Sequence, residues 1–381
     1  MHFDLNSQQQ QRYDETVRFA EEHLNDDIAG RDIASVFSGD LWRLAAERGL
    51  LGLQVPEKLG GADLDSVSAA AVMEGLGYGC RDNGLTFAIN AQAWSVVDAL
   101  LRFGSEQQQL HYLPGILSGQ LIGCFAMTEP ATGSDCFALD ASAEPYGDGF
   151  RLNGHKQLIT FAPIADFAIV FANEDPSAGR WGISAFLVDA GSSGYMASQA
   201  QSKMGLRTVP IGDVVLQNCE VAAECRLGAK GAGASIFNTT QETERSFILA
   251  PQVGAMQRQL EETIEFARER KQFGQPIGRF QSVSNRITEM KLRFETSRLL
   301  LYKTAWLRDE NRPNMMEAAL TNIHLAETFV ESSLDAIRIR GGRGYLTEFE
   351  IERDARDAVG ATLYGGTSDI QRMIAARLLG L

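Results

Sequence analysis

The sequence predicts a mainly α-helical protein with a β domain set into its middle. Three observations carry that order. Apolar residues recur at helical spacing up to about residue 118, as in Leu41, Leu44 and Ala45. From about residue 121 to 226, short β-rich runs alternate with turn residues. After Gly233 the helical period returns and stays. A chain of 381 residues exceeds what one compact core usually holds, so two or three domains are expected. The implied divisions are 1–118 (helical), 119–228 (β) and 229–381 (a helical bundle).

In the first region the Gly-rich stretch Leu59-Gly60-Gly61-Ala62 interrupts the helices. The helical pattern resumes through Val67 to Leu76 and again through Ala91 to Phe103, and Gly104-Ser105-Glu106 reads as a loop and helix start. In the middle region Tyr146-Gly147-Asp148-Gly149-Phe150 is a hairpin signal. Phe167 to Phe171 and Ile183 to Val188 read as buried strands, Val214-Val215-Leu216 as another, together making a small sandwich or open barrel. In the last region a helical segment from Ala234 to Arg270 contains Pro251, which lacks an N–H and should kink or break it. Phe280 to Arg308, Pro313 to Arg340 and Ile370 to Leu379 are further helices. Short links between long amphipathic helices suggest an antiparallel bundle.

Composition excludes several function classes. The formal charge of −14 repels phosphate backbones and anionic lipid, so neither nucleic acid nor membrane is an expected partner. The start, Met1-His2-Phe3-Asp4-Leu5-Asn6, lacks the basic and apolar stretches of a signal peptide, and no apolar run reaches membrane-spanning length. Cys80, Cys124, Cys136, Cys219 and Cys225 are scattered, odd in number and form no CxxC pair, which fits free thiols in a cytoplasmic protein. No GxGxxG or GxxxxGK[ST] occurs, and Gly228 to Gly233 has the wrong spacing for either and reads as a loop into the last helices. His2, His23, His111, His155 and His324 lack metal-ligand spacing, and there is no GxSxG elbow. An enzyme of this sequence would leave the hard chemistry to an organic cofactor.

Four segments bear on which cofactor. They are Phe125-Ala126-Met127-Thr128-Glu129-Pro130-Ala131-Thr132-Gly133-Ser134-Asp135; Gly154-His155-Lys156-Gln157-Leu158-Ile159-Thr160; Arg270-Lys271-Gln272-Phe273-Gly274 with Phe280-Gln281; and Gly341-Gly342-Arg343-Gly344-Tyr345 with Tyr364-Gly365-Gly366-Thr367-Ser368-Asp369-Ile370-Gln371. Each alone is weak: Gly133-Ser134-Asp135 also reads as a helix cap, and Arg338, Arg340 and Arg343 as a solvated helix end. In this order and separation they resemble the acyl-CoA dehydrogenase family across nearly the whole chain. The resemblance implies the family's three-domain fold, with an N-terminal helical domain, a β sandwich or barrel and a C-terminal four-helix bundle. It implies FAD bound between the last two. Phe125, Met127, Thr128, Gly133 and Ser134 would line flavin and pyrophosphate, and Leu158, Ile159 and Thr160 the other flavin face, with Leu158 where the family usually has Trp. Arg270, Gln272, Phe273, Gln281, Arg338, Gly341 and Gly342 match residues that reach the FAD of a neighbouring subunit, implying a homotetramer or homodimer. Thr367 and Asp369 match positions near the adenosine half.

The family's chemistry removes an α-proton from an acyl thioester with a carboxylate while the β-hydrogen leaves as hydride to flavin N5. Many members carry that carboxylate as the Glu of a Tyr-Glu-Gly-Thr run. Here the run is Tyr364-Gly365-Gly366-Thr367, and Gly365 can offer only its backbone N–H to the thioester oxygen. The isovaleryl and long-chain branches keep the base on an earlier helix, directly before an Arg. Counting back from Gly254 and Met256 places Glu244 there, with Arg245 on the family's Arg; Glu242, two positions away, should face elsewhere. Burial beside flavin should raise the Glu244 pKa, as suits a general base. Arg245, Tyr364 and Ser134 are expected on the substrate side.

Ala162 to Asp166, Ser282 to Arg286, Met290 to Arg293, and the pairing of Gly365 with a helix Glu resemble the branch acting on carrier-protein thioesters in natural-product (antibiotic) biosynthesis, prolyl-carrier-protein dehydrogenases included. The expected substrate is an acyl or aminoacyl thioester on a carrier protein or CoA. An electron-transfer flavoprotein and O2 both remain open as acceptors. A flavin monooxygenase and a non-catalytic assembly protein on the same fold are the alternative readings; Gly365 permits the first and Glu244 argues against it.

Overall fold

In the computed structural model, residues 4–381 are described; Met1, His2 and Phe3, the start of the N-terminal stretch that lacks signal-peptide character, lie outside that range. Helix α1 (Ser7–His23) opens on a capping box in which the Asn6 side chain takes the N–H groups of Gln8 and Gln9 while the Gln9 side chain accepts from the Asn6 N–H. Then come α2 (Ile28–Ala34), α3 (Gly39–Glu47), α4 (Ser66–Gly79), α5 (Asn83–Ala91), a π-helical segment (Gln92–Val97), α6 (Asp98–Phe103) and α7 (Glu106–Leu117). Asp65 caps α4, Asp82 caps α5 and Ser105 caps α7.

The strands are β1 (Gly123–Ala126), β2 (Ser142–Tyr146), β3 (Gly149–Thr160), β4 (Phe167–Asn173), β5 (Ile183–Asp189), β6 (Tyr195–Ala197), β7 (Ile211–Ala222) and β8 (Arg226–Leu227). They form one sheet on an open path, β6-β7-β3-β2-β4-β5-β8, with β1 parallel beside β4. The expected hairpin closes with Tyr146 opposite Gly149. In β4 and β5 alternate side chains enter two different apolar cores. Ala168 and Val170 join the core that runs through the helical domains, and Phe167, Ile169 and Phe171 join a second one with Leu100, Leu113 and Ile236. That two-sided burial is why these strands read as continuous apolar runs.

After β8 the chain forms α8 (Gly233–Phe247) and α9 (Ala250–Glu269). The expected break falls at Ile248 and Leu249, which leaves Pro251 in the first turn of α9, where a missing N–H costs nothing. A two-strand hairpin, β9 (Lys271–Gln272) and β10 (Gln275–Pro276), leads into α10 (Gln281–Asp309), α11 (Met315–Arg340), α12 (Gly342–Tyr345), α13 (Ile351–Ala361) and α14 (Ser368–Leu378). Sequence periodicity missed α13. Two residues of its buried face, Arg353 and Asp357, are charged, so the apolar stripe is thin. Asp357 is held by the Leu206 N–H at 2.6 Å and Asn83 Nδ2 at 3.1 Å. No helix among the described residues is long and apolar enough to cross a membrane. Cys80, Cys124 and Cys219 are buried, Cys136 and Cys225 half-buried, and all five are free thiols.

Helix α4 is the packing centre, buried along nearly its whole length against α1, α9 and α10. Its backbone lies so close to α9 that a Cβ on Gly77 would sit 1.7 Å from the Pro251 carbonyl oxygen, and one on Gly254 2.0 Å from that of Glu74. Glu74 is fully buried, and Arg298 Nε (2.7 Å) and the Tyr302 hydroxyl of α10 both donate to it. Gly77→Ala should therefore cost at least the ~1–3 kcal/mol of ordinary overpacking, because rigid backbone blocks the new methyl. Thermal unfolding would show a clear fall in Tm; an unchanged Tm would mean that α4 and α9 can part cheaply.

Candidate active site

Glu244 lies on α8 and is 9 % exposed. Two neutral donors reach one of its oxygens, Oε2: the Ser95 hydroxyl at 2.8 Å, from the π-helical segment, and Gln241 Nε2, one turn earlier on α8. The other oxygen faces Gly365, where an added Cβ would lie 3.3 Å from Oε1. Gly365 has φ +65°, a left-handed conformation that favours glycine. Gln371 Nε2 donates to the carbonyls of Gly365 (2.9 Å) and Gly366 (3.1 Å), so this clamp takes the turn's acceptors and not its donors.

Burial pushes the Glu244 carboxyl above the ordinary carboxylate range, against the Ser95 hydrogen bond, the Arg245 charge and the Gln241 amide. Burial likewise depresses the pKa of Arg245, whose Nε is buried without a partner. Aromatic rings flank the carboxylate. Trp94 packs on Phe247 with centroids 5.2 Å apart, and Phe87 on Tyr364 at 4.5 Å. Tyr364 is raised well above its usual range by burial and by Glu244, and its hydroxyl accepts from Gln252 Nε2 at 3.2 Å. Glu242 is half-buried, and its carbonyl accepts from the Ser246 hydroxyl. Sequence reasoning missed Ser95, Trp94, Phe247 and Gln252. It could have found Gln241, which precedes Glu244 by three residues and so shares its helix face.

A second group lies where β1 runs past β3. Lys156, fully buried, donates to Glu129 Oε1 (2.7 Å) and to the Met127 carbonyl (3.2 Å), and burial lowers its pKa to about 8 against the pull of Glu129. Glu129 also accepts the N–H groups of Asp140 and Ala141. The Gln157 N–H meets the Thr128 carbonyl at 2.8 Å. These bonds hold half-buried Thr128 against Gln157, one residue before Leu158 and three before half-buried Thr160 on the same strand. Leu158 is 55 % exposed at φ +58°, and Gly133 and Ser134 are exposed on the following bend. Met127 and Ile159 point their side chains into the core, so only their backbone can face a ligand. Phe125 packs half-buried against Phe171 and Phe237. An exposed apolar side chain, two half-buried threonines and the buried, unpartnered Thr132 Oγ1 fit a flat amphiphilic ring system such as a flavin.

A third group gathers at the end of α9. Arg270 caps α9, Gln272 and Phe273 belong to the β9–β10 hairpin that follows, and Phe273 is 94 % exposed at φ +50° with its ring edge-on to Phe280, next to Gln281. Arg340 donates to Thr263 at 2.8 Å and lies over Phe266, which brings Gly341 and Gly342 to the same place. Arg338 turns to Asp335 at 3.1 Å, a carboxylate shared with Arg286 and Arg293. Thr367 caps α14 by accepting from the Ile370 N–H, with Asp369 exposed in the first turn. No cluster of three or more His, Cys, Asp or Glu side chains suited to a metal ion occurs among the described residues.

Family models match the chain from end to end: the acyl-CoA dehydrogenase N-terminal domain over residues 6–120, the middle domain over 124–219 and the C-terminal domain over 231–380. An L-prolyl-[peptidyl-carrier protein] dehydrogenase of Pseudomonas fluorescens is 42% identical, over 92% of this chain and 93% of that protein. The crystal structure of the prolyl acyl carrier protein oxidase AnaB superposes with TM-score 0.98 at 44% identity, covering 99% of this chain and 100% of that one. The structure of PigA with FAD and proline gives TM-score 0.98 at 38% identity, with both chains fully covered. A helical–β–helical chain with a buried glutamate on the first helix after its sheet, matched by all three domain models, belongs to the acyl-CoA dehydrogenase family.

Proposed function

We propose that this enzyme is an FAD-dependent dehydrogenase of an aminoacyl thioester on a carrier protein, with a prolyl group as substrate and Glu244 as general base. The observation that carries the reading is the Glu244 carboxylate, buried without a direct ion partner, one oxygen held by Ser95 and Gln241 and the other facing Gly365. The prolyl-carrier activities of the Pseudomonas protein and AnaB, and the proline and FAD bound by PigA, support the substrate and cofactor.

Bound FAD supplies the two-electron acceptor. Glu244 takes the α-proton of the thioester. The Gly365 N–H donates to the thioester carbonyl oxygen as charge builds there. Arg245 keeps positive charge beside the base, and Tyr364 and Phe87 close the site against water. Thr128, Gly133, Ser134, Leu158 and Thr160 hold the cofactor from the β domain. The group at the end of α9 serves the cofactor of a second copy of the chain, so the working assembly is a dimer or tetramer. An electron-transfer flavoprotein or O2 accepts the electrons.

Prolyl-loaded carrier protein should bleach the oxidised flavin anaerobically. Glu244→Gln should slow this by ~10²–10⁴-fold while retaining flavin, the usual worth of a positioned base. Bleaching by NAD(P)H and by no thioester would defeat the reading in favour of a monooxygenase, and prolyl-CoA beside the prolyl carrier separates CoA from carrier specificity. The base acts only when ionised and its pKa is raised, so the rate should fall with pH through a midpoint above the ordinary carboxylate range; stopped-flow reduction across pH checks this. Phe273→Ala should lose flavin on gel filtration and shift the assembly to a smaller species; full retention of both would remove the role given to the α9 end.

A further inference from the structure

We infer that Ser95, carried on the π-helical turn Gln92–Val97, is a positioning residue that pins one oxygen of Glu244 and thereby assigns proton acceptance to the other, Oε1. The inference rests on the reading of Glu244 as base and names a partner for it from a different part of the chain.

The geometry is specific. Ser95 and Gln241 both donate to Oε2, and Oε1 points at Gly365, where the missing side chain leaves room for a substrate carbon. Two donors on one oxygen fix the plane of the carboxylate and stabilise its charged form against burial. The ionisable groups facing Glu244 are Arg245 on its own helix and Tyr364 from the segment after α13.

Gln241 is available to Glu244 on any regular helix, three residues away. Ser95 is not: it arrives only because the chain winds as a π-helix there. A π-turn holds one more residue than an α-turn, so regular winding would rotate the following residues by about 100° and carry the hydroxyl off the carboxylate. The first half of the turn is held by two side-chain hydrogen bonds. Gln92 Oε1 accepts the Gly123 N–H of β1 at 3.2 Å, and Trp94 Nε1 donates to Asn90 Oδ1 at 2.7 Å. The position of Ser95 is thus tied to the same β1 strand that leads into the flavin-facing Thr128.

The test is Ser95→Ala, with Ser95→Thr as the conservative variant that keeps the hydroxyl. Removing a hydrogen bond to a charged carboxylate should raise its pKa by about one to two units. The acidic limb of anaerobic flavin reduction by prolyl-loaded carrier protein should move up in pH by that amount in Ser95→Ala and return toward wild type in Ser95→Thr. A second readout needs no turnover: infrared titration of the Glu244 carboxyl, identified by the band that Glu244→Gln abolishes, should show the same upward shift. Gln241→Met should shift it in the same direction, which covers the case in which Ser95→Ala fails to fold. An unmoved limb and an unmoved carboxyl titration in Ser95→Ala would overturn the inference and leave the base intact. Wild-type reduction by Glu244→Gln would instead overturn the base, while the infrared titration still reports on Ser95.

Discussion

Two helices touch backbone to backbone at the centre of this molecule, and much else follows from it. Gly77 of α4 faces the Pro251 carbonyl and Gly254 of α9 faces that of Glu74, with no space for a side chain at either point. Contact this close fixes where α9 begins. It therefore fixes where α8 ends and where its last turns, with Glu244, must lie. Helix α4 is pinned to α10 by Glu74, Arg298 and Tyr302, so the N-terminal and C-terminal helices pack as neighbours about it.

Three buried glutamates show how the molecule separates structure from chemistry. Glu74 has Arg298 and a tyrosine hydroxyl, and Glu129 has Lys156 and two backbone N–H groups. Both are paired ions whose partners satisfy them, and removing a partner would strand a buried charge. Glu244 has only neutral donors, both on one oxygen, and a neighbouring guanidinium with an unpartnered Nε. A carboxylate left in that state is raised in pKa yet still ionisable, and its second oxygen is uncommitted. The paired glutamates have their oxygens committed to structure, and Glu244 keeps the free oxygen that the proposed base needs.

Much of this was legible in the chain. The helix–strand–helix order follows from a change of apolar period, and the hairpin at Gly147 and the break before Pro251 from turn and proline chemistry. The replacement of a base by Gly365 pointed to Glu244, and the two prove to be in contact range. Other features were not legible. Helix α13 was hidden because Arg353 and Asp357 occupy its buried face, satisfied by groups far away in sequence such as Asn83 and the Leu206 N–H. Met127 and Ile159, placed on the flavin by motif position, send their side chains into the core, because alternation along a strand is set by the sheet's two faces and not by the motif.

The sequence by itself determined which residues are proposed to carry chemistry, since motifs record residue type and spacing: Glu244, Arg245, Gly365, Thr128 and Thr160. Only the tertiary structure decided how the Glu244 carboxylate is held. Ser95 and Glu244 lie 149 positions apart, and they meet because a π-turn adds a residue that no periodicity reveals and because β1 holds that turn in place. A hydrogen bond between such distant residues depends on the path of the whole chain between them, and spacing along the sequence carries no record of it.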